Sequence, residues 1–221
     1  MALAVEITTD ADAACARAAE LVAEYARCAM AAHGSCAMAV SGGRSPWAMF
    51  AHLVGLTVAW DRVLTYQVDE RIAPDGDPDR NLTHLIASVP EAAHVGIRPM
   101  PVTDPDPERA AARYATTLPP AFDIVHLGLG PDGHTASLIP GDPALEVTDR
   151  DVAVTGIYQG RRRMTLTYPT LDRARRILWL VTGADKVDAF ARMVSGDPTI
   201  PAGRVNQDNA IVIADQAAAG R

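Results

Sequence analysis

The sequence is poor in lysine: of its twenty basic side chains nineteen are arginine, and Lys186 is the lone lysine. With 27 acidic residues the net charge is −7 and the isoelectric point is near 5.3, which argues against nucleic acid or an anionic membrane as the main partner. An anionic ligand must therefore be held by a local cluster of cations. The arginine and alanine bias looks like GC-rich coding, so most arginines need no functional account, and the position that kept lysine stands out. Cysteine is also scarce. Cys15, Cys28 and Cys36 are an odd number without metal-ligand spacing and read as buried free thiols. No HExxH, His-rich tract or cysteine pair asks for a metal, and no GxxxxGK[ST] marks a P-loop. Neither a secretory leader nor an apolar span of about eighteen residues is seen, so the expected location is cytoplasmic. A hydrophobic content of 48% over 221 residues predicts one large globular domain, 1–221, with ample core.

What is present is an alternation of helical segments and short apolar runs. Thr9 or Asp10 can cap a helix from Ala11 to about Ala32, closed by Gly34. Ala37–Val40 reads as a buried strand, followed by Ser41-Gly42-Gly43-Arg44-Ser45 and a helix with Pro46 in its first turn. Val63–Val68 is a second strand ending in Asp69-Glu70-Arg71, with a short helix from about Asn81 to Ala87. Arg98–Val102 is a candidate strand, and Glu108–Leu118 has helical composition. Phe122–Leu127 is another buried strand, while Val152–Ile157 and Met164–Thr167 read as strands around the basic turn Arg161-Arg162-Arg163. Thr167 and Pro169 open a helix. Strand Ile177–Val181, helix Ala184–Met193 and strand Ile211–Ile213 complete the series. Without internal repeats or long linkers, this alternation predicts a three-layer α/β fold: a doubly wound, mainly parallel sheet with helices on both faces.

The stretch from Phe122 to Gly141, FDIVHLGLGPDGHTASLIPG, concentrates the chemistry. Its strand breaks into Gly128, Gly130 and Gly133, where the backbone can take positive φ and approach a ligand. His134 ends that turn, at the carboxyl edge where open α/β sheets bind ligands, and imidazole titrates near neutral pH. It is the candidate general base. His33, His52, His84 and His94 lie in helical or loop contexts and read as satisfied surface or capping histidines. His126 lies within the strand and reads as a core or supporting residue. Gly128-x-Gly130-x-x-Gly133 also matches the dinucleotide fingerprint, but Pro131 removes an amide and Asp132 puts a carboxylate where pyrophosphate would sit. The match also falls past mid-chain and not in the first βα turn, so no nicotinamide cofactor is expected.

Three further places could serve the same rim. The amides, helix dipole and Arg44 of Ser41–Pro46 suit an anion, although an ordinary βα turn explains the glycines equally well. A carboxylate of Asp69-Glu70 could orient a sugar hydroxyl or a histidine, with Arg71 on a phosphate; alone, the triplet would read as three solvated charges. Lys186 can reach back over a phosphate as a point charge, whereas Arg161–Arg163 reads as a solvated turn. Neither Ser41 nor Ser137 sits in a G-x-S-x-G elbow, so activated water is the simpler nucleophile.

Together these motifs resemble the 6-phosphogluconolactonase family, relatives of the glucosamine-6-phosphate deaminases. The pieces, in order, are Ser41-Gly42-Gly43 with Pro46; Asp69-Glu70-Arg71 with Asn81; LGLGPDGHTASL from Leu127 to Leu138 with Pro140; Arg163-Met164-Thr165-Leu166-Thr167; Val181-Thr182-Gly183 with Lys186; and Pro201-Ala202. They span nearly the whole chain, and GPDGHTASL is highly specific. The resemblance implies a Rossmann-like fold, as in the sugar-phosphate deaminase/isomerase superfamily. It also implies a carboxylic ester hydrolase, without cofactor or metal, that opens 6-phospho-D-glucono-1,5-lactone to 6-phosphogluconate in the oxidative pentose phosphate pathway. Its partner would be that small sugar-phosphate lactone, with no nucleic acid or membrane, and its state a monomer or weak homodimer.

In this likeness His134 matches the proposed general base and Asp69 would orient the substrate or the histidine network. Phosphate would sit on Gly42, Gly43 and Arg44, with Arg71, Arg163 and Lys186 as cations; Ser41, Asp132 and Gly133 complete the expected binding set. The sequence departs from the family pattern at Arg80, where many relatives have serine, and at Arg44, often a small residue. The deaminases follow their Gly-His with a Phe-Asn-Glu-Pro type segment. Here Ser137-Leu138-Ile139-Pro140 carries no carboxylate, which favours the hydrolase. A non-catalytic sugar-phosphate sensor is the other alternative, but no helix-turn-helix or basic tail is present to report binding.

Overall fold

A computed structural model describes residues 3–221. Strand β1 (Ala4–Thr8) leads into helix α1 (Ala11–His33), which Asp10 caps by accepting the Ala13 amide at 2.9 Å. Gly34 closes the helix at φ 89°, a left-handed value suited to glycine. The buried face of α1 is largely alanine (Ala14, Ala18, Ala19, Ala26), so the helix lies close to its neighbours. Then come β2 (Cys36–Val40), α2 (Arg44–Val54), β3 (Val63–Gln67), β4 (Asp69–Arg71) and α3 (Asn81–Ser88). The short α4 (Glu91–His94) and β5 (Ile97–Arg98) precede α5 (Pro107–Ala115), β6 (Ile124–Leu127), β7 (Val152–Val154) and β8 (Arg163–Leu166). The chain closes with α6 (Tyr168–Asp172), β9 (Ile177–Val181), α7 (Val187–Val194) and β10 (Ala210–Asp215).

Among the described residues, seven strands form a sheet in the order β1-β10-β9-β6-β2-β3-β5, with every neighbouring pair parallel. Strand alternation sends Val125, Leu127, Trp179, Val181 and Val212 to one face. Ile124, Leu178, Leu180, Ile213 and Met38 go to the other. The second face is covered by α1, α2 and α3, and the first by α5 and α7. With both faces buried, the strands are near-continuous apolar runs, as parallel sheets require. This is the three-layer, doubly wound α/β arrangement that the sequence predicts.

Several details differ from expectation. Asp69–Arg71 is not the tail of the preceding strand. The chain leaves the large sheet at Val68, and β4 joins β8 and β7 in a second, antiparallel three-stranded sheet. The strand expected over Arg98–Val102 stops at Arg98, because Pro99 and Pro101 have no amide to give to a ladder. Val152–Ile157 is a strand only to Val154. The helix read from Ala184 begins as a 3₁₀ turn, Ala184–Lys186, and becomes α-helical at Val187. Cys15 and Cys36 are buried, with burial pushing their thiols up to about 11 and about 12, but Cys28 is exposed. No described helix is long and apolar enough to cross a membrane.

Candidate active site

The carboxyl ends of β2, β3, β6 and β9 open on one cavity of about 650 Å³. Its lining brings together Ser41, Gly42, Gly43, Arg44, Asp69, Arg71, His134, Arg163 and Lys186, all selected from the sequence. Of the remaining two, Asp132 stands behind His134, and Gly133 sits at φ 83° with its Cα packed towards Ile200. No described cluster of three or more His, Cys, Asp or Glu side chains is arranged to hold a metal.

The His134 turn is closed by its own backbone. Gly130 N donates to the His134 carbonyl at 2.8 Å, and Gly133 N to the Gly130 carbonyl at 3.0 Å. No helix follows. Thr135 and Leu138 instead form an isolated bridge, with Ala136 at φ 49° between them. A dinucleotide fingerprint needs a helix N-terminus after its glycines, so this match is coincidental. Gly130 is required for a different reason: a Cβ there would lie 2.0 Å from His134 Nδ1.

His134 Nδ1 bonds Asp132 Oδ1 at 2.5 Å, and the ring is mostly shielded but reaches the cavity. Nε2 has no partner among the described residues and is the nitrogen left for a ligand. Tyr158 donates its hydroxyl to the other carboxylate oxygen, Asp132 Oδ2, at 3.2 Å. Partial burial pushes the Asp132 carboxyl up, but the imidazole's charge and these hydrogen bonds outweigh it, and the net direction is down. An ionised Asp132 holds the imidazole in one orientation.

Asp69, expected on the substrate or the histidine network, makes no bond to His134; that carboxylate is Asp132. Asp69 is buried, accepts from Ser137 Oγ at 2.5 Å and from Asn81 Nδ2 at 3.2 Å, and faces Arg163 at 3.9 Å. Glu70 is fully buried and is not a solvated charge. It accepts the amides of Asn81 and Leu82 at the start of α3, that of Arg71, and the Gln67 side chain. Arg80, the departure from the family pattern, is buried 3.5 Å from Glu70 and so compensates that carboxylate.

Cations ring the rest of the cavity. Arg44 and Arg71 have no carboxylate partner among the described residues; Arg71 donates to Asn81 Oδ1 and to the Asp79 carbonyl. Asn81 in turn stands where a Cβ on Gly42 would fall, 1.9 Å from its Oδ1, so that glycine exists for the close approach. Gly43, φ 124°, precedes helix α2 and no side chain caps it, which leaves the first amides of the helix open to an anion. Arg163 is buried with Nε unpartnered; burial pulls its guanidinium down, partly offset by Asp69. Lys186 Nζ rests on Asp185 at 2.9 Å. The triple arginine therefore splits: Arg161 pairs with Asp77 and Asp79, Arg162 with Glu108, and Arg163 turns inward to the cavity.

The other histidines behave as expected. His33, His52, His84 and His94 each find a partner at 2.8 to 3.0 Å, away from the cavity. His126 is fully buried, both ring nitrogens lack partners, and burial pulls it down to about 4.

The family profile described as glucosamine-6-phosphate isomerases/6-phosphogluconolactonase matches residues 9–213. The chain belongs to this family. It is 38% identical over 181 residues to the 6-phosphogluconolactonase of Synechocystis sp., covering 75% of this chain and 74% of that protein. It is 33% identical over 246 aligned positions to the Mycobacterium tuberculosis protein of the same name, covering 100% and 99% of the two chains. In three dimensions it is similar to the 6-phosphogluconolactonase of Thermotoga maritima, with a TM-score of 0.85 at 22% identity over 96% of this chain and 98% of that one. A monomeric glucosamine-6-phosphate deaminase fits equally well, with a TM-score of 0.87 at 17% identity and 99% coverage of both chains. The fold is therefore common to both branches of the family and does not choose between them.

Sequence reasoning missed Tyr158, which joins Asp132 and His134 from a distant hairpin. Two residues, Gln159 and Gly160, separate it from Arg161 between two strands. That spacing is a hairpin-turn signal, though nothing in it says what the tyrosine touches.

Proposed function

We propose that this protein hydrolyses 6-phospho-D-glucono-1,5-lactone to 6-phosphogluconate, the lactone-opening step of the oxidative pentose phosphate pathway, with residues 1–221 acting as one domain. The observation that carries the reading is the pairing, in one cavity, of a carboxylate-oriented imidazole with four cations: Arg44, Arg71, Arg163 and Lys186. The curated relatives named 6-phosphogluconolactonase support it.

In this reading the phosphate sits over the uncapped start of α2 and between the cations, which fixes the lactone carbonyl near His134. Nε2 takes a proton from water as its oxygen adds to the carbonyl carbon. The tetrahedral intermediate collapses by breaking the bond to the ring oxygen, which leaves as a hydroxyl after receiving the proton held on His134. The carboxylic acid product then ionises. Asp132 keeps Nδ1 occupied and stabilises the imidazolium while it exists. Asp69 holds Ser137, Asn81 and Arg163 in place, and so acts on the cavity wall and not on the base.

A deaminase reading must find an acid after His134. The segment there has Ser137 spent on Asp69 and Leu138 and Ile139 buried, so it supplies none. The deciding experiment offers purified protein both substrates. Lactone hydrolysis above the spontaneous rate, abolished in His134→Ala, is the expected result; ammonia release from glucosamine 6-phosphate without lactone hydrolysis would reverse the assignment.

A further inference from the structure

Strands β7 and β8 form a hairpin whose tip lies over the His134 turn. At that tip Tyr158 and Arg161 exchange backbone hydrogen bonds of 2.9 and 3.2 Å, around Gln159 at φ 50° and Gly160 at φ 81°. Two successive left-handed residues in a two-residue loop match the twist of the flanking strands. Gln159 takes its positive φ from this turn, which its own pair of backbone hydrogen bonds closes.

That shape places Tyr158 in three contacts at once. Its hydroxyl donates to Asp132 Oδ2 at 3.2 Å, while the other oxygen of the same carboxylate holds His134 at 2.5 Å. Its ring meets the imidazole edge-on, with centroids 5.5 Å apart. The Arg163 guanidinium lies over the tyrosine ring, 5.0 Å from its centroid. Nothing else among the described residues bonds Asp132 Oδ2. The His134 amide also holds Oδ1, at 3.2 Å; the hydroxyl adds the second anchor that fixes the rotation of the carboxylate, and without the ring the imidazole would lose the wall beside it.

Resting on the proposal that His134 is the base, we infer that Tyr158 is a positioning residue for the reaction. It locks the Asp132 carboxylate, and through it the imidazole, into the working orientation. Tyr158 does not line the cavity, so its effect belongs in the chemical step and not in substrate binding.

The test is a double-mutant cycle in lactone hydrolysis. Tyr158→Phe keeps the ring and the Arg163 contact and removes only the hydroxyl. It is expected to lower kcat about 3- to 10-fold, the net worth of one ordinary hydrogen bond at this 3.2 Å length, with KM nearly unchanged. Placed in an Asp132→Ala background, the same change is expected to cost nothing further. A wild-type kcat in Tyr158→Phe, a full additional loss in the Asp132→Ala background, or an effect on KM alone would each overturn the assignment. His134→Ala in the same assay separates the two claims. If it is inactive while Tyr158→Phe is normal, only the positioning role falls; if it is fully active, the base assignment falls as well.

Discussion

Two histidines lie eight positions apart on one segment and have opposite fates. His126 is inside β6, fully buried, with no partner on either ring nitrogen. His134 is just past the end of the same strand, with a carboxylate on one nitrogen and a cavity before the other. Burial without a partner pulls His126 down to about 4, so it stays neutral and inert at physiological pH. The contrast shows that a histidine becomes useful through its access and its partner, and the strand end is what supplies both.

The comparison can be broken at several points. The largest effect is expected from His134→Ala: a loss in kcat of roughly 10²- to 10⁴-fold, the usual worth of a general base, with an unchanged melting temperature. Gly130→Ala comes next. Its Cβ would lie 2.0 Å from Nδ1, so the ring must move, and kcat is expected to fall at least about 10-fold while the protein still folds. Lys186→Ala should act at the other end of the substrate, raising KM more than it lowers kcat, because a phosphate contact is made alike in ground and transition states. Steady-state kinetics on the lactone check all three.

His126→Leu should leave kcat and KM at wild-type values and change only stability. The native pKa, about 4, lies below the ordinary histidine value of about 6.5. Between those values the unfolded chain takes up a proton that the folded chain refuses. The wild type therefore loses stability as pH falls from about 6.5 towards 4, on the order of 3 kcal/mol in all. His126→Leu lacks this loss, so its stability relative to wild type should grow as the pH falls. Urea unfolding at pH 7 and pH 4.5 measures the difference; an equal gap at both values would contradict it.

Much of this was legible in the residues themselves. Capping by Asp10, the stop at Gly34, the buried runs of β2, β6 and β9 and the glycine turn before His134 are local signals. Cavity membership for Ser41, Arg44 and Lys186 followed because successive strand ends of a parallel sheet share a rim, whereas Arg71 and Arg163 enter from the antiparallel sheet and Arg163 was expected there only through the family resemblance. The second sheet was not legible: β4 is three charged residues with no apolar alternation, and its pairing with β8 spans almost a hundred positions. For the same reason Glu70 read as solvated, since its partners come from the start of α3. The partner of His134 was two residues away, but whether Asp132 or Asp69 filled that role depended on the turn's geometry. Tyr158 touches the dyad only because a hairpin tip folds over it.

The most direct measurement sets the two histidines against each other. Purified His134→Ala and His126→Leu are assayed side by side for lactone hydrolysis, after subtraction of spontaneous ring opening. The account predicts that kcat/KM of His126→Leu exceeds that of His134→Ala by about 100-fold or more. A ratio near one, with both variants folded, would contradict it.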